Sequence, residues 1–199
     1  MTREEWDRSN DPRSMFPIIK NLSARKLRLW ACAFTRWQYR NSRNKDVFRA
    51  VEAAEQWADG REPDKKSLFK NYDVCAPTAW QAAENIVEDI QTRDDGQEKR
   101  EAKTVQSEMF RCIFGNPFQR MPALDAAIIT WNSGAVRKLA LDIYERRLPT
   151  GFLDRDRMKT LADYLETAGC SSESLLQHCR ENDLHIRGCW GLDLALGKR

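Results

Sequence analysis

The sequence predicts an all-α protein: a single compact, irregular helical domain of about nine helices spanning residues 1–199. Three observations lead there. Helix-capping residues recur along the whole chain. Between them, apolar residues return at three- and four-residue spacing, the period of one face of a helix. Glycine and proline are sparse, at 9 and 7 of 199 residues, too few for the frequent tight turns of a many-stranded sandwich.

Each element follows from its punctuation. Thr2 with Glu5 makes a capping box ahead of Trp6. Asp11-Pro12 pairs an N-cap with proline at the first helical position. Ser23 precedes a strong helix over 24–40, where Leu27, Trp30, Ala31, Phe34 and Trp37 form one apolar stripe and should be buried. Asp46 starts the next helix, whose inner face is Val47, Ala50, Val51, Ala54 and Trp57, and Gly60 ends it in a left-handed cap. A short helix is expected over 65–72. Thr78 caps a helix carrying Trp80, Ala83, Ile86, Val87 and Ile90. The polar run 92–97 is where a subdomain boundary would fall. A helix follows over 98–114 and stops at Gly115-Asn116-Pro117. Residues 131–134, Trp-Asn-Ser-Gly, interrupt the next apolar run before Val136, Leu139, Ala140, Ile143 and Tyr144 resume it. Asp154 or Asp156 opens a helix that Gly169 closes, Ser171 or Ser172 opens a short one, and a last helix begins near Gly188.

Composition sets the class. With 41% hydrophobic and 32% charged residues, the chain reads as a water-soluble globular protein able to bury a sizeable core. It shows neither an apolar run of bilayer-spanning length nor the apolar core of a signal peptide at its N-terminus, so a cytoplasmic location and no membrane partner are expected. Six cysteines, at 32, 75, 112, 170, 179 and 189, are then free thiols or metal ligands rather than a disulfide framework. The net charge is +3 but uneven. Residues 1–50 hold twelve Lys/Arg against five Asp/Glu, and residues 51–105 hold eight against thirteen. Such halves either pair inside the fold, the favoured reading, or leave a basic surface for an anionic partner.

Three groups of residues bear on function. Both histidines and three cysteines fall between 170 and 189. Cys179, His185 and Cys189, with Cys170 or His178 as a fourth donor, offer a zinc ligand set without the usual Cys-x2-Cys knuckle. The same corner offers a thiol nucleophile, Cys189 with His185 or His178 as base and Asp193 as orienter. Arg180 and Arg187 there either bind an anion or pair with Glu181 and Asp183. Arg25, Arg28, Arg36 and Arg40 give the 24–40 helix a basic face for nucleic-acid phosphates. Buried packing is the default content of the Cys/His corner. Phosphate-loop, dinucleotide-binding and metalloprotease motifs are absent from the sequence.

Three strings carry a resemblance: Arg25-Lys26-Leu27-Arg28-Leu29 before a helix containing Cys32; Ile113-Phe114-Gly115-Asn116-Pro117-Phe118; and His178-Cys179-Arg180 followed by His185, Arg187-Gly188-Cys189-Trp190 and Leu196-Gly197-Lys198. In this order they resemble an uncharacterised bacterial family abundant in planctomycetes, whose members carry more cysteines in the first long helix. The resemblance spans nearly the whole chain. It implies one domain in a bacterial cytoplasm and brings no activity, cofactor or partner with it. The expected function is that of a non-enzymatic interaction or adaptor protein with a protein partner and no cofactor. Nucleic-acid binding through the basic quarter, and a small metal- or thiol-dependent enzyme built on the Cys/His corner, are the two alternatives.

Overall fold

The computed structural model describes residues 1–19, 22–63, 65–68, 72–94, 96–148 and 150–198. Among them are eleven α-helices, two short 3-10 turns and no strand, so the chain is all-α. The backbone divides into two compact units, Met1–Phe118 and Gln119–Arg199. The division follows the Gly115-Asn116-Pro117 stop. The 92–97 segment instead lies inside the first unit, as the link between two of its helices.

The first unit holds α1 (Arg3–Arg8), α2 (Pro12–Met15), α3 (Ala24–Gln38), α4 (Lys45–Ala58), α5 (Lys65–Leu68), α6 (Ala79–Gln91) and α7 (Gln97–Phe114). Local capping places most of their ends. Thr2 and Glu5 form the reciprocal capping box of α1, and Asp11 caps α2 ahead of Pro12. Asn44, not Asp46, caps α4, because its side-chain oxygen accepts from the Asp46 amide. Gly60 follows α4 at φ +73°. The short helix expected over 65–72 covers only Lys65–Leu68; residues 69–71 lie outside the described set, and Asp73–Cys75 form a 3-10 turn.

α3 is the centre of this unit and packs on α4, α6 and α7. Trp30 and Phe34 are fully buried. Trp37 is only half-buried, because it lies at the end of the helix with the Arg40 guanidinium 4.2 Å above its ring. The Trp30 indole donates to the Gln106 carbonyl at 3.1 Å, and the Gln106 side chain donates to the Ile86 carbonyl at 3.1 Å. The buried indole N–H and the Gln106 amide nitrogen thereby each gain an acceptor. Trp6, Phe16, Trp30 and Phe110 meet in tilted and edge-to-face pairs with centroids 5.0–6.0 Å apart, the geometry that aromatic quadrupoles favour. Arg111 fixes the N-terminal segment by donating to the carbonyls of Trp6 and Ser9. Burial lowers the pKa of that guanidinium, and Asp7 and Glu108 oppose the shift.

The second unit holds α8 (Ala126–Glu145), α9 (Arg155–Thr167), α10 (Glu173–Glu181) and α11 (Trp190–Leu196). α8 is broken where the sequence interrupts its apolar run. Asn132, Ser133 and Gly134 take φ of 46°, 55° and 77°, one left-handed turn between two helical arms. α9 packs on α8 and α10, and α11 packs on α8 and α10. Asp154 and Ser172 cap α9 and α10 through their side chains. No helix of the described residues is long and apolar enough to cross a membrane.

Candidate functional site

The Cys/His corner of the second unit is built by three short pieces of chain. α10 carries His178 and Cys179. The connection from α10 to α11 carries His185, whose carbonyl accepts from the Leu153 amide at 2.9 Å. A turn follows, closed by the Cys189 amide on the Ile186 carbonyl at 2.9 Å. Its third residue, Gly188, has φ +87°, a conformation that a side chain resists. This turn is the physical content of the His-x-x-Gly-Cys spacing: it folds His185 and Cys189 back toward each other. α11 then lies close against α10 because Gly191 has no side chain. A Cβ there would sit 3.0 Å from Leu175 Cδ1, 3.1 Å from His178 Cδ2 and 3.4 Å from Cys179 Sγ.

The result gathers donor atoms. His178 Nε2 lies 3.1 Å from Cys189 Sγ, and His185 Nδ1 lies 3.6 Å from the same sulfur. The donor atoms of His178, His185 and Cys189 all fall within 4.8 Å of one another. The two imidazoles meet edge to face with centroids 5.0 Å apart, and Trp190 covers His178 at 4.7 Å. His185 is 1% exposed and Cys189 0%. His185 Nε2 is buried with no hydrogen-bond partner among the described residues.

The expected ligand set is therefore corrected in part. His185 and Cys189 meet, but their companion is His178, with Cys179 and Cys170 outside the group. Cys179 faces Gly191 instead, one residue further round α10. Burial, with Cys189 and Cys170 nearby, pushes its thiol far above the ordinary range, so it is a protonated, space-filling side chain. The nucleophile reading fares worse. Cys189 and its histidine neighbour His185 are buried, whereas reactive thiols are partly exposed. The arginines of the corner are engaged by carboxylates other than those expected. Arg180 bridges Asp163 and Glu166 at 2.8 and 2.5 Å, while Arg187 reaches Glu145 at 3.5 Å and lies over the Tyr144 ring. Asp183 pairs with Arg155.

The four arginines of α3 and its end do not form a solvent-facing stripe. Arg28 is 4% exposed; it donates to the Val74 and Ala76 carbonyls and lies 4.0 Å over Trp57. Arg36 is 7% exposed and donates twice to Glu55, at 3.0 and 3.1 Å. Arg25 pairs with the buried Asp59 at 3.0 Å. Arg40, the one exposed member, stacks on Trp37 and faces Glu101 at 3.6 Å. The basic first quarter thus pairs with the acidic second quarter, because helices α3, α4 and α7 bring Glu55, Asp59 and Glu101 to it.

The first unit has a further feature at Trp80, which helical spacing groups with the apolar residues of α6 but which the structure leaves largely in water. Phe16, Pro17 and Trp80 line an open cleft of about 390 Å³. Trp80 is 45% exposed, and Phe16 meets its ring nearly edge-on at 5.6 Å. Arg13, Glu84 and Glu88 stand at the rim, with Arg13 3.9 Å from Glu88. Comparison of the chain with protein-family models, curated proteins and solved structures returns no match.

Proposed function

We propose that the protein is a non-enzymatic interaction module that docks a short segment of a protein partner in the Trp80 cleft. The observation that carries this reading is the exposure of a tryptophan at the mouth of an apolar cleft. A large side chain left 45% in water forgoes burial worth about 1.5–3 kcal/mol, and exposed aromatic anchors are what binding surfaces use. The rim selects the occupant. Glu84 and Glu88 outnumber Arg13, and Glu88 already faces that arginine. A segment presenting one large apolar side chain flanked by Lys or Arg complements both the floor and the rim. The cytoplasmic bacterial setting read from the sequence belongs to this proposal.

The test is selection from a displayed peptide library on the intact chain, followed by tryptophan fluorescence titration. Selected peptides should carry an apolar anchor with basic flanks. Trp80→Ala, or Glu84→Lys with Glu88→Lys, should weaken them at least about tenfold without lowering the melting temperature. Binders that ignore Trp80, or that carry acidic flanks, would overturn the proposal. Nucleic-acid binding through Arg25, Arg28, Arg36 and Arg40 gains no support, since two of the four are buried and all four are engaged.

A further inference from the structure

We infer that His178, His185 and Cys189 of the second unit bind a zinc ion. The site is separate from the Trp80 cleft. In a tetrahedral site with Zn–N near 2.0 Å and Zn–S near 2.3 Å, adjacent donor atoms lie about 3.5 Å apart. The two donor-to-sulfur distances here are 3.1 and 3.6 Å. Both nitrogen-to-sulfur distances are thus close to those such an ion sets, and the two nitrogens lie within 4.8 Å of each other.

Donor chemistry names the metal. Two imidazole nitrogens and one thiolate suit a borderline-soft divalent ion, and they exclude magnesium and calcium, which take oxygen. Zinc takes four donors, and the second unit contributes these three. The site is also placed where metals are useful. Its ligands come from α10, from the connection after it and from the N-cap of α11, so one ion would clasp three segments of chain.

Packing does not account for the imidazole of His185. It is 1% exposed, its Nδ1 has the Cys189 sulfur at 3.6 Å, and its Nε2 has no acceptor or donor among the described residues. A buried polar ring with so little hydrogen bonding is costly to the fold unless another interaction offsets it. Coordination through Nδ1 supplies that interaction and fixes the proton on Nε2.

The chain contains only two histidines, which makes the test sharp. The full chain, free of any affinity tag, is stripped with chelator and reloaded with zinc or cobalt. About one zinc per chain is expected, with an X-ray absorption first shell of two imidazoles and sulfur at about 2.0 and 2.3 Å. Two imidazoles on one ion identify His178 and His185 without any mutation. Cobalt should give a thiolate charge-transfer band in the near ultraviolet. Cys189→Ser should abolish that band and lower zinc affinity by more than tenfold, since even outer-shell changes cost about 10–100-fold. Cys170→Ser should retain both. Wild-type protein that takes up no zinc, an oxygen-only first shell, or a charge-transfer band that survives Cys189→Ser would overturn the inference. The absorption spectrum of the wild type decides the matter even if the serine variant does not fold.

Discussion

The buried ion pair between Arg36 and Glu55 is the most exacting test of the charge assignments. Replacing Glu55 with alanine leaves the guanidinium inside the first unit without its bidentate acceptor. The side chains are 8% and 2% exposed, and the bonds are 3.0 and 3.1 Å long. At 3.0 Å and an effective dielectric of about 20, the direct attraction is about 5–6 kcal/mol. Burying both ions costs several kcal/mol each, so the intact pair has little net worth, whereas breaking it strands a charge at about 3–5 kcal/mol. The remaining partner of Arg36 is Glu52, 57% exposed and 4.0 Å away, too distant and too wet to compensate. That loss is a large share of the stability of a small unit, and the melting temperature should fall by on the order of 10–20 °C. The double variant Arg36→Met with Glu55→Met should recover most of the loss, because neither charge remains to be solvated. Urea denaturation of the wild type, both single variants and the double variant closes the cycle. A Glu55→Ala variant within about 1 kcal/mol of wild type would refute the reasoning: Arg36 would then be solvated, and the basic face of α3 would be available after all.

Three further outcomes are expected. Trp30→Ala should cost about 3–5 kcal/mol by denaturant titration, as for other buried aromatic truncations, and a loss under about 1 kcal/mol would show that the aromatic cluster can re-form without it. Gly191→Ala should destabilise by about 1–3 kcal/mol despite the better helix propensity of alanine, because its methyl group meets Leu175 and His178 at 3.0 and 3.1 Å; a stabilised variant would show that α11 does not pack this closely on α10. Burial raises the thiol pKa values of Cys32 and Cys179 in the folded chain. Their contribution is therefore complete below the unfolded value near 8.5, and it is lost at about 1.4 kcal/mol per pH unit for each thiol as pH rises past it. Stability measured from about pH 8 to 10.5 should fall, and Cys32→Ala or Cys179→Ala should flatten the slope.

Local signals were legible in the sequence, and long-range ones were not. The capping box at Thr2, the Asp11-Pro12 start and the caps at Thr78, Asp154 and Ser172 all formed, because an N-cap is decided within three or four residues. The interruption at 131–134 was visible for the same reason. The fate of the arginines was not. The helical period places Arg28 and Arg36 off the apolar stripe of α3, and only the arrival of Val74, Ala76 and Glu55 from elsewhere in the chain turns their positions into an interior. The Cys/His corner was legible as a cluster but not as a ligand set. His178 and Cys179 are neighbours on α10, and the approach of α11 at Gly191 decides which of them meets Cys189. The Trp80 cleft joins Phe16 and Trp80 across more than sixty residues, a separation that no periodicity reports.

The clasp made by Arg111 has a consequence for how the first unit comes to be folded. Its guanidinium holds the carbonyls of Trp6 and Ser9, more than one hundred positions earlier in the chain. This segment leaves the ribosome well before α7, and the carbonyls of Trp6 and Ser9 have no Arg111 to hold them until α7 has emerged. At about 5–20 residues per second, that is an interval of many seconds in which Trp6 and Met15, both buried in the finished unit, remain in water. Closure of this loop is among the longest-range contacts of the unit and should come late in folding, after α3, α4 and α6 have found one another. Residues 6–9 are thus secured late, and a nascent chain paused before α7 presents them to whatever chaperone or protease is near.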